Sequence, residues 1–284
     1  MKLVNAKTMA MDAARGGYAV PALNTNGATY DITRAIIEAA DEMRSPLIIQ
    51  CYEPNLEYRG YDYFPYLVKH LAEGCTIPIA LHLDHGHGVD SIMKAVRAGF
   101  TSVMIDCASL PLTENIRQTR RVAELVGPLG ISVEGEVGNI IKSSDEEGKK
   151  APLTDAADVR VFAKESSADL LAVAVGTTHG IFKEQTGIDL GLISELRNAT
   201  DIPLVLHGTC GVPLGLISEC VKNGMAKINF GEALRMNYIK YFNEFSETLD
   251  HEHHAWRIMR ECKDRLKADI KLIIEAVSSA GRAA

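Results

Sequence analysis

Residues 78–88 read PIALHLDHGHG. An apolar run with no helical period ends in three histidines and an aspartate and stops at glycine, the pattern of a buried strand feeding a loop. Asp84 and His85 are adjacent where the strand gives out. A carboxylate and an imidazole placed there can share one reacting centre, the first as acid/base and the second as metal ligand. A polar loop with a hydrogen-bonded histidine has the same local pattern, so the rest of the chain decides between them.

Working outward, the same unit recurs. Strand-type runs lie at Tyr18–Asn24, Pro46–Cys51, Pro78–Leu83, Ser102–Asp106, Ile131–Val137, Leu170–Val175, Pro203–Leu206 and Ala226–Asn229. Amphipathic helical patterns separate them, at Tyr30–Met43, Tyr63–Glu73, Val89–Ala98, Glu114–Val126, Ala156–Ser166, Leu192–Asn198 and Pro213–Asn223. Eight strand–helix units without a linker predict an α/β fold, a (β/α)8 TIM barrel; even spacing favours closure over a doubly wound sheet. Extra C-terminal helices follow over Glu232–Glu247 and Ala255–Val277. The whole chain, 1–284, reads as one domain, and its 46% hydrophobic content is enough for a large core.

The formal charge is −7 and the basic residues are scattered, which argues against a nucleic-acid partner. Six cysteines without CxxC or framework spacing read as reduced thiols, so a cytoplasmic location is expected. The first residues are polar and helical in pattern, unlike a signal peptide. No run reaches the ~18 apolar residues of a membrane span.

Polar residues gather at one place. Asn24, Gln50, Asp84, His85, Asp106, Glu136, His179, His207 and Asn229 all lie at or just beyond the C-terminal end of a strand. In a barrel those ends share the face that carries the chemistry. His85, His179 and His207 follow the third, sixth and seventh strands, and three imidazoles with an open fourth position make the usual catalytic zinc arrangement. His87 forms an HxH pair with His85, as in some metal hydrolases. His82 is placed to point into the barrel. His70, His251, His253 and His254 read as surface. Asp106 and Glu136 can hold a second cation or simply accept hydrogen bonds from loop amides; spacing does not separate the two.

At this point the motifs resemble a known family, the class II, metal-dependent ketose-bisphosphate aldolases; the members nearest in length are the tagatose-bisphosphate and short fructose-bisphosphate aldolases. The resemblance runs over nearly the whole chain: AVPALNTN (19–26), HLDH (82–85), SVMIDCASLPLTENI (102–116), VEGEVG (133–138), LAVAVGTTHG (171–180), LVLHGTCGVP (204–213), AKINFGEALR (226–235) and SSAGRA (278–283). It implies that His85, His179 and His207 bind one catalytic Zn2+, that Asp84 carries the proton at the hydroxyl released by C–C cleavage, and that Asn229 helps hold the enediolate. Asp106 and Glu136 match positions used by a second metal in some members. Asn24, Gln50, Gly180, the Gly208–Thr209–Cys210 turn and the Asn229–Phe230–Gly231–Glu232 turn match the substrate side. The resemblance also implies a homodimer or homotetramer acting on a small sugar or sugar phosphate. No lysine stands at a strand end as a Schiff-base nucleophile; Lys227 lies within the eighth strand, its orientation open.

The departures concern phosphate recognition. Cys210 stands where the family has serine, and Glu232 where it has threonine. Tyr52, Pro54 and Asn55 replace the serine and Gly-Ala of a third segment, and Ser144 replaces a mobile-loop glutamate, with Asp145, Glu146 and Glu147 beside it. A carboxylate facing a phosphate dianion repels it unless a cation or proton intervenes. Glu232 therefore points to a non-phosphorylated ketose; alternatively, backbone amides and a monovalent cation still hold phosphate. Sugar epimerisation by the same retro-aldol step, a metal hydrolase using His87, and a non-catalytic subunit are the competing readings.

Overall fold

A computed structural model describes residues 3–138, 153–180, 185, 187–247 and 254–283. The chain runs α1 (Ala6–Gly16), β1 (Val20–Asn24), α2 (Tyr30–Glu42), β2 (Leu47–Tyr52), α3 (Glu53–Arg59), α4 (Tyr63–Leu71), β3 (Ile79–Gly86), α5 (Val89–Ala98), β4 (Ser102–Ile105) and α6 (Leu112–Val126). It continues through β5 (Ser132–Val137), α7 (Ala156–Glu165), β6 (Leu170–Val173), α8 (Leu190–Ala199), β7 (Leu204–Leu206), α9 (Leu214–Lys222), β8 (Met225–Phe230), α10 (Glu232–Glu247) and α11 (Ala255–Ala276). The eight strands are parallel, pair in sequence order and close β8 onto β1, making a (β/α)8 TIM barrel with extra C-terminal helices. All eight strand expectations match. The helix α3 was not foreseen: Pro54 sits in its first turn, where a missing N–H costs nothing, and Gly60 ends it.

Two apolar layers hold the barrel. Outside, Ile36, Ile49, Phe64, Leu81, Phe100 and Phe162 are fully or almost fully buried between strands and helices. Inside, at the N-terminal end, α1 closes the barrel. Its Met9, Ala10 and Ala13 meet Val20, Ile48, Ala80, Ala172, Val205 and Ala226. The side chain of Asn5 caps α1 by accepting from the Thr8 amide, which supplies a partner for an otherwise orphaned N–H.

The C-terminal segment returns to the start of the sheet. Ser279 and Ser45 share a hydrogen bond of 2.7 Å, and the Gly281 amide donates to the Met43 carbonyl at 2.9 Å. The SSAGRA motif thus serves as a structural clasp. The apolar stripe of α11 divides: Leu266, Ile270 and Ile273 are buried, whereas Trp256, Met259 and Leu272 remain exposed. No helix among the described residues is long and apolar enough to cross a membrane.

Candidate active site

In a regular strand, neighbouring side chains point to opposite faces, so Asp84 and His85 should not share a site. The end of β3 breaks this rule. Its register against β4 shifts between Leu83 and Gly86, and His85 takes a left-handed backbone conformation with φ 51°. Such a conformation is unfavourable for a residue with a Cβ and is held only where surrounding structure over-determines it. Here it turns both side chains toward the mouth. Gly86 allows the bend, because a Cβ there would lie 2.7 Å from the Met104 carbonyl oxygen. Gly208 (φ 69°) does the same after β7, where a Cβ would meet the Thr178 carbonyl oxygen at 2.8 Å; this contact brings His207 beside the His179 loop.

The three foreseen histidines converge. The ring centroids of His85 lie 5.2 Å from His179 and 5.1 Å from His207, and His179 and His207 are 5.8 Å apart. One nitrogen from each falls within 4.8 Å of the others, the separation a single ion can bridge. His85 Nδ1 is 2.8 Å from Asp106 Oδ2, and His207 Nε2 is 3.0 Å from Glu134 Oε1. A carboxylate acceptor fixes the proton on the bonded nitrogen and leaves the other lone pair bare. His179 Nε2 and His207 Nδ1 are buried without a hydrogen-bond partner. Two orphaned imidazole nitrogens beside a third orientated ring fit a divalent cation with tetrahedral N-ligation.

The local electrostatics favour a cation. Burial would lower the pKa of His85, but its hydrogen bond to Asp106 and the charges of Asp84 and Glu136 raise it to about 9. Burial and the two neighbouring rings push His179 down to about 3. Asp84 is held below the usual carboxylate range: burial would raise it, but the fields of His85, His207, His82 and Lys227 outweigh that effect. Asn24 Nδ2 donates to Asp84 Oδ2 at 3.1 Å and Gln50 Nε2 to Asp84 Oδ1 at 3.2 Å, so two residues expected on the substrate side also steady this carboxylate.

The other expected residues fall as follows. Asp106 stands behind His85 as its acceptor rather than converging with the three ligand nitrogens, and Glu136 Oε2 lies 3.4 Å from His207 Nδ1. Asn229 presents a buried Oδ1 without a hydrogen bond, and its carbonyl accepts from Thr209 Oγ1 at 2.6 Å. Cys210 turns away toward Met236, with Sγ and Sδ 4.0 Å apart. The side chain of Phe230 packs in the outer core. Gly231 offers its carbonyl to Asn26 and to the Arg235 amide. Glu232 is the first residue of α10. Gly180 adopts φ 131° just beyond His179.

The remaining histidines fall as follows. His87 is exposed, and its Nδ1 pairs with Glu53 Oε2 at 2.6 Å, outside the converging set. His82 is fully buried inside the barrel, bonded to Ser102 Oγ at 2.8 Å. His70 is exposed in the last turn of α4, at the surface as expected. His254 is exposed; His251, His253 and Ser144 to Glu147 lie outside the described residues. Two participants went unnamed. Glu134 sits two residues before Glu136 on β5 and therefore on the same face. Gln185 ties the two histidine turns together, its Nε2 donating to the carbonyls of Gly208 (3.2 Å) and Cys210 (2.5 Å) while its Oε1 accepts from the Thr178 amide (3.0 Å).

Comparison with known proteins identifies the family. The family model described as fructose-bisphosphate aldolase class-II matches residues 4–282. The chain is 34% identical over 288 residues to a fructose-bisphosphate aldolase of Geobacillus stearothermophilus, covering 100% of both chains. It is 32% identical over 286 residues to a sulfofructosephosphate aldolase of Alkalicoccus urumqiensis, covering 100% of this chain and 99% of that one. The crystal structure of the YdjI aldolase from Escherichia coli K12 superposes with a TM-score of 0.87 at 26% identity, covering 100% of both chains. The chain belongs to the class II fructose-bisphosphate aldolase family and is an aldehyde-lyase.

Proposed function

We propose that this chain catalyses the zinc-dependent, reversible aldol cleavage of a ketose. The observation that supports it best is the convergence of His85, His179 and His207 beside Asp84, with two ligand nitrogens buried and without a hydrogen bond. A bound zinc ion would supply Lewis-acid stabilisation of the negative charge that develops on the donor oxygens. Asp84, ionised and steadied by Asn24 and Gln50, takes the proton from the hydroxyl on the carbon that becomes the aldehyde. The O–H pair then forms the new carbonyl, the C–C bonding pair stays with the donor fragment, and a proton from solvent completes that fragment before its release. In the reverse direction Asp84 returns that proton. Asn229, with its unpartnered amide oxygen, orients the donor hydroxyls. The neighbouring Asp106 and Glu134 act as acceptors for His85 and His207.

The donor end is the finer point. The relatives' names carry phosphorylated sugars, but three residues here favour a free hydroxyl. Cys210 points its sulfur at Met236, Tyr52 stands edge-on to His85 with ring centroids 6.4 Å apart, and Glu232 places a carboxylate in the first turn of α10. A helix N-terminus that already carries its own carboxylate is a poor phosphate site. The test is a cleavage panel with the zinc-loaded protein: fructose and tagatose 1,6-bisphosphates, their 1-phosphates, and the free ketoses. Free dihydroxyacetone from unphosphorylated ketoses is the expected product. Efficient release of dihydroxyacetone phosphate would overturn the donor assignment. Silence on every substrate with zinc bound would overturn the cleavage reading in favour of epimerisation.

A further inference from the structure

We infer that Glu134 and Lys227 form a sealed charge pair whose task is to lock His207 in the tautomer that presents Nδ1 to the metal position. Lys227 is then a remote determinant of metal affinity, a positioning residue and not a nucleophile. The inference rests on the zinc-site reading above.

Glu134 comes from β5, His207 follows β7, Lys227 lies in β8 and His82 in β3. β5 is a sheet neighbour of none of these three strands, so contacts among them must cross the barrel interior. All four side chains are fully buried. Lys227 Nζ lies 2.8 Å from Glu134 Oε2, and His207 Nε2 lies 3.0 Å from Glu134 Oε1. Each carboxylate oxygen therefore has its own partner. An ionised carboxylate in a dry interior requires a counter-charge, and Lys227 supplies it. With Oε2 engaged, the carboxylate cannot swing toward His82, whose Nε2 is 3.8 Å away. Oε1 stays fixed as an acceptor, so the His207 proton sits on Nε2 and the lone pair on Nδ1 is left bare. Nδ1 is the nitrogen that is buried with no hydrogen-bond partner. The same geometry answers the Schiff-base question. Lys227 lies two residues deeper in the barrel than Asn229, and its ammonium is spent on Glu134.

The test uses the intact chain stripped of metal, titrated with zinc against a chromophoric chelator. Lys227→Met and Glu134→Gln should each weaken zinc binding about 10- to 100-fold. The double variant distinguishes positioning from general damage. In Glu134→Gln alone, the new amide must offer its oxygen to Lys227 and its NH2 to His207, forcing the wrong tautomer. In Glu134→Gln/Lys227→Met that demand is gone, the oxygen can face His207, and zinc should bind at least about tenfold more tightly than to Glu134→Gln. A folded Lys227→Met with unchanged zinc affinity, or a double variant no tighter than Glu134→Gln, overturns the inference. If the variants do not fold, two-bond 15N–1H correlation on the unmodified metal-free chain decides: a proton on His207 Nε2 supports it, and one on Nδ1 overturns it. Failure of the zinc-site reading is separate, since it would show as His179→Ala binding zinc as tightly as the unmodified chain.

Discussion

The two ends of the barrel interior are built on opposite rules. At the N-terminal end, alanines and branched aliphatics lie under α1 in a dry layer. At the C-terminal end, His179 Nε2, His207 Nδ1 and Asn229 Oδ1 are buried without hydrogen-bond partners. An unsatisfied buried polar atom costs about 1–3 kcal/mol, so the mouth is locally destabilised and the apolar end offsets it. One end therefore carries stability and the other reactivity. A substitution should move one without the other, and that separation can be attacked directly.

The largest effect belongs to the mouth. Asp84→Asn should lower kcat by about 10²- to 10⁴-fold, the range of a lost general acid/base. Zinc affinity should fall far less, because His85 and His207 keep their hydrogen bonds to Asp106 and Glu134. A zinc titration run beside steady-state kinetics checks both halves. A kcat within tenfold of the unmodified enzyme would mean that another group moves the proton.

The matching substitution at the other end is Met9→Ala. It removes a side chain that is 5% exposed and leaves a cavity beneath the barrel. The expected loss is about 2–4 kcal/mol of unfolding free energy, with kcat and KM unchanged. Urea denaturation of the metal-free chain measures the first and kinetics the second. A shift in KM would show that the lower layer sets the geometry of the mouth, and the separation would fail.

The same contrast explains what could be read from the sequence. Strand-type runs such as PLIIQC and LLAVAV are local, so all eight strands and the ring of polar ends were legible. The three histidines were legible because each lies at or beyond the end of its own strand. The bend at His85 was not, because its positive φ answers to the packing of Gly86 against β4, a tertiary contact. The helix after Tyr52 was not, because it is only seven residues long and opens on Glu53-Pro54, too short for a helical period to show. Glu134 stood in plain view in VEGEVG, yet its partners come from β7 and β8, and no local pattern announces them. The direction of the Cys210 sulfur, toward Met236 on α10, was equally invisible.

A smaller effect bears on substrate. If Glu232 repels a phosphorylated donor, Glu232→Thr should raise kcat/KM for a ketose 1-phosphate about tenfold, equivalent to about 1.4 kcal/mol of repulsion removed. The free ketose should gain nothing. Parallel kinetics on the two substrates tests this, and equal gains on both would assign the residue a role other than charge discrimination.

The smallest expected effect comes from charges outside the barrel. Glu38 on α2 receives Arg34 Nε at 2.7 Å and Lys263 Nζ at 2.8 Å, the latter from α11. Burial would raise its pKa, but the hydrogen bonds to Lys263 and Arg34 outweigh that and lower it from the ordinary 4.5 to about 2. A depressed folded-state pKa contributes stability that is present above pH 4.5 and is lost as pH falls through 2. Because Arg34 is exposed and Glu38 partly so, screening leaves about 1 kcal/mol at neutral pH. Glu38→Gln should therefore be less stable by that amount at pH 7, and the gap should close between pH 4.5 and 2. Chemical denaturation across that range, with high salt as a second axis, checks it. Added salt should shrink the Glu38 contribution but leave zinc affinity set by Glu134 and Lys227 in place, since only the outer cluster is open to counter-ions. Equal salt sensitivity of the two would mean that the interior pair is not sealed from water.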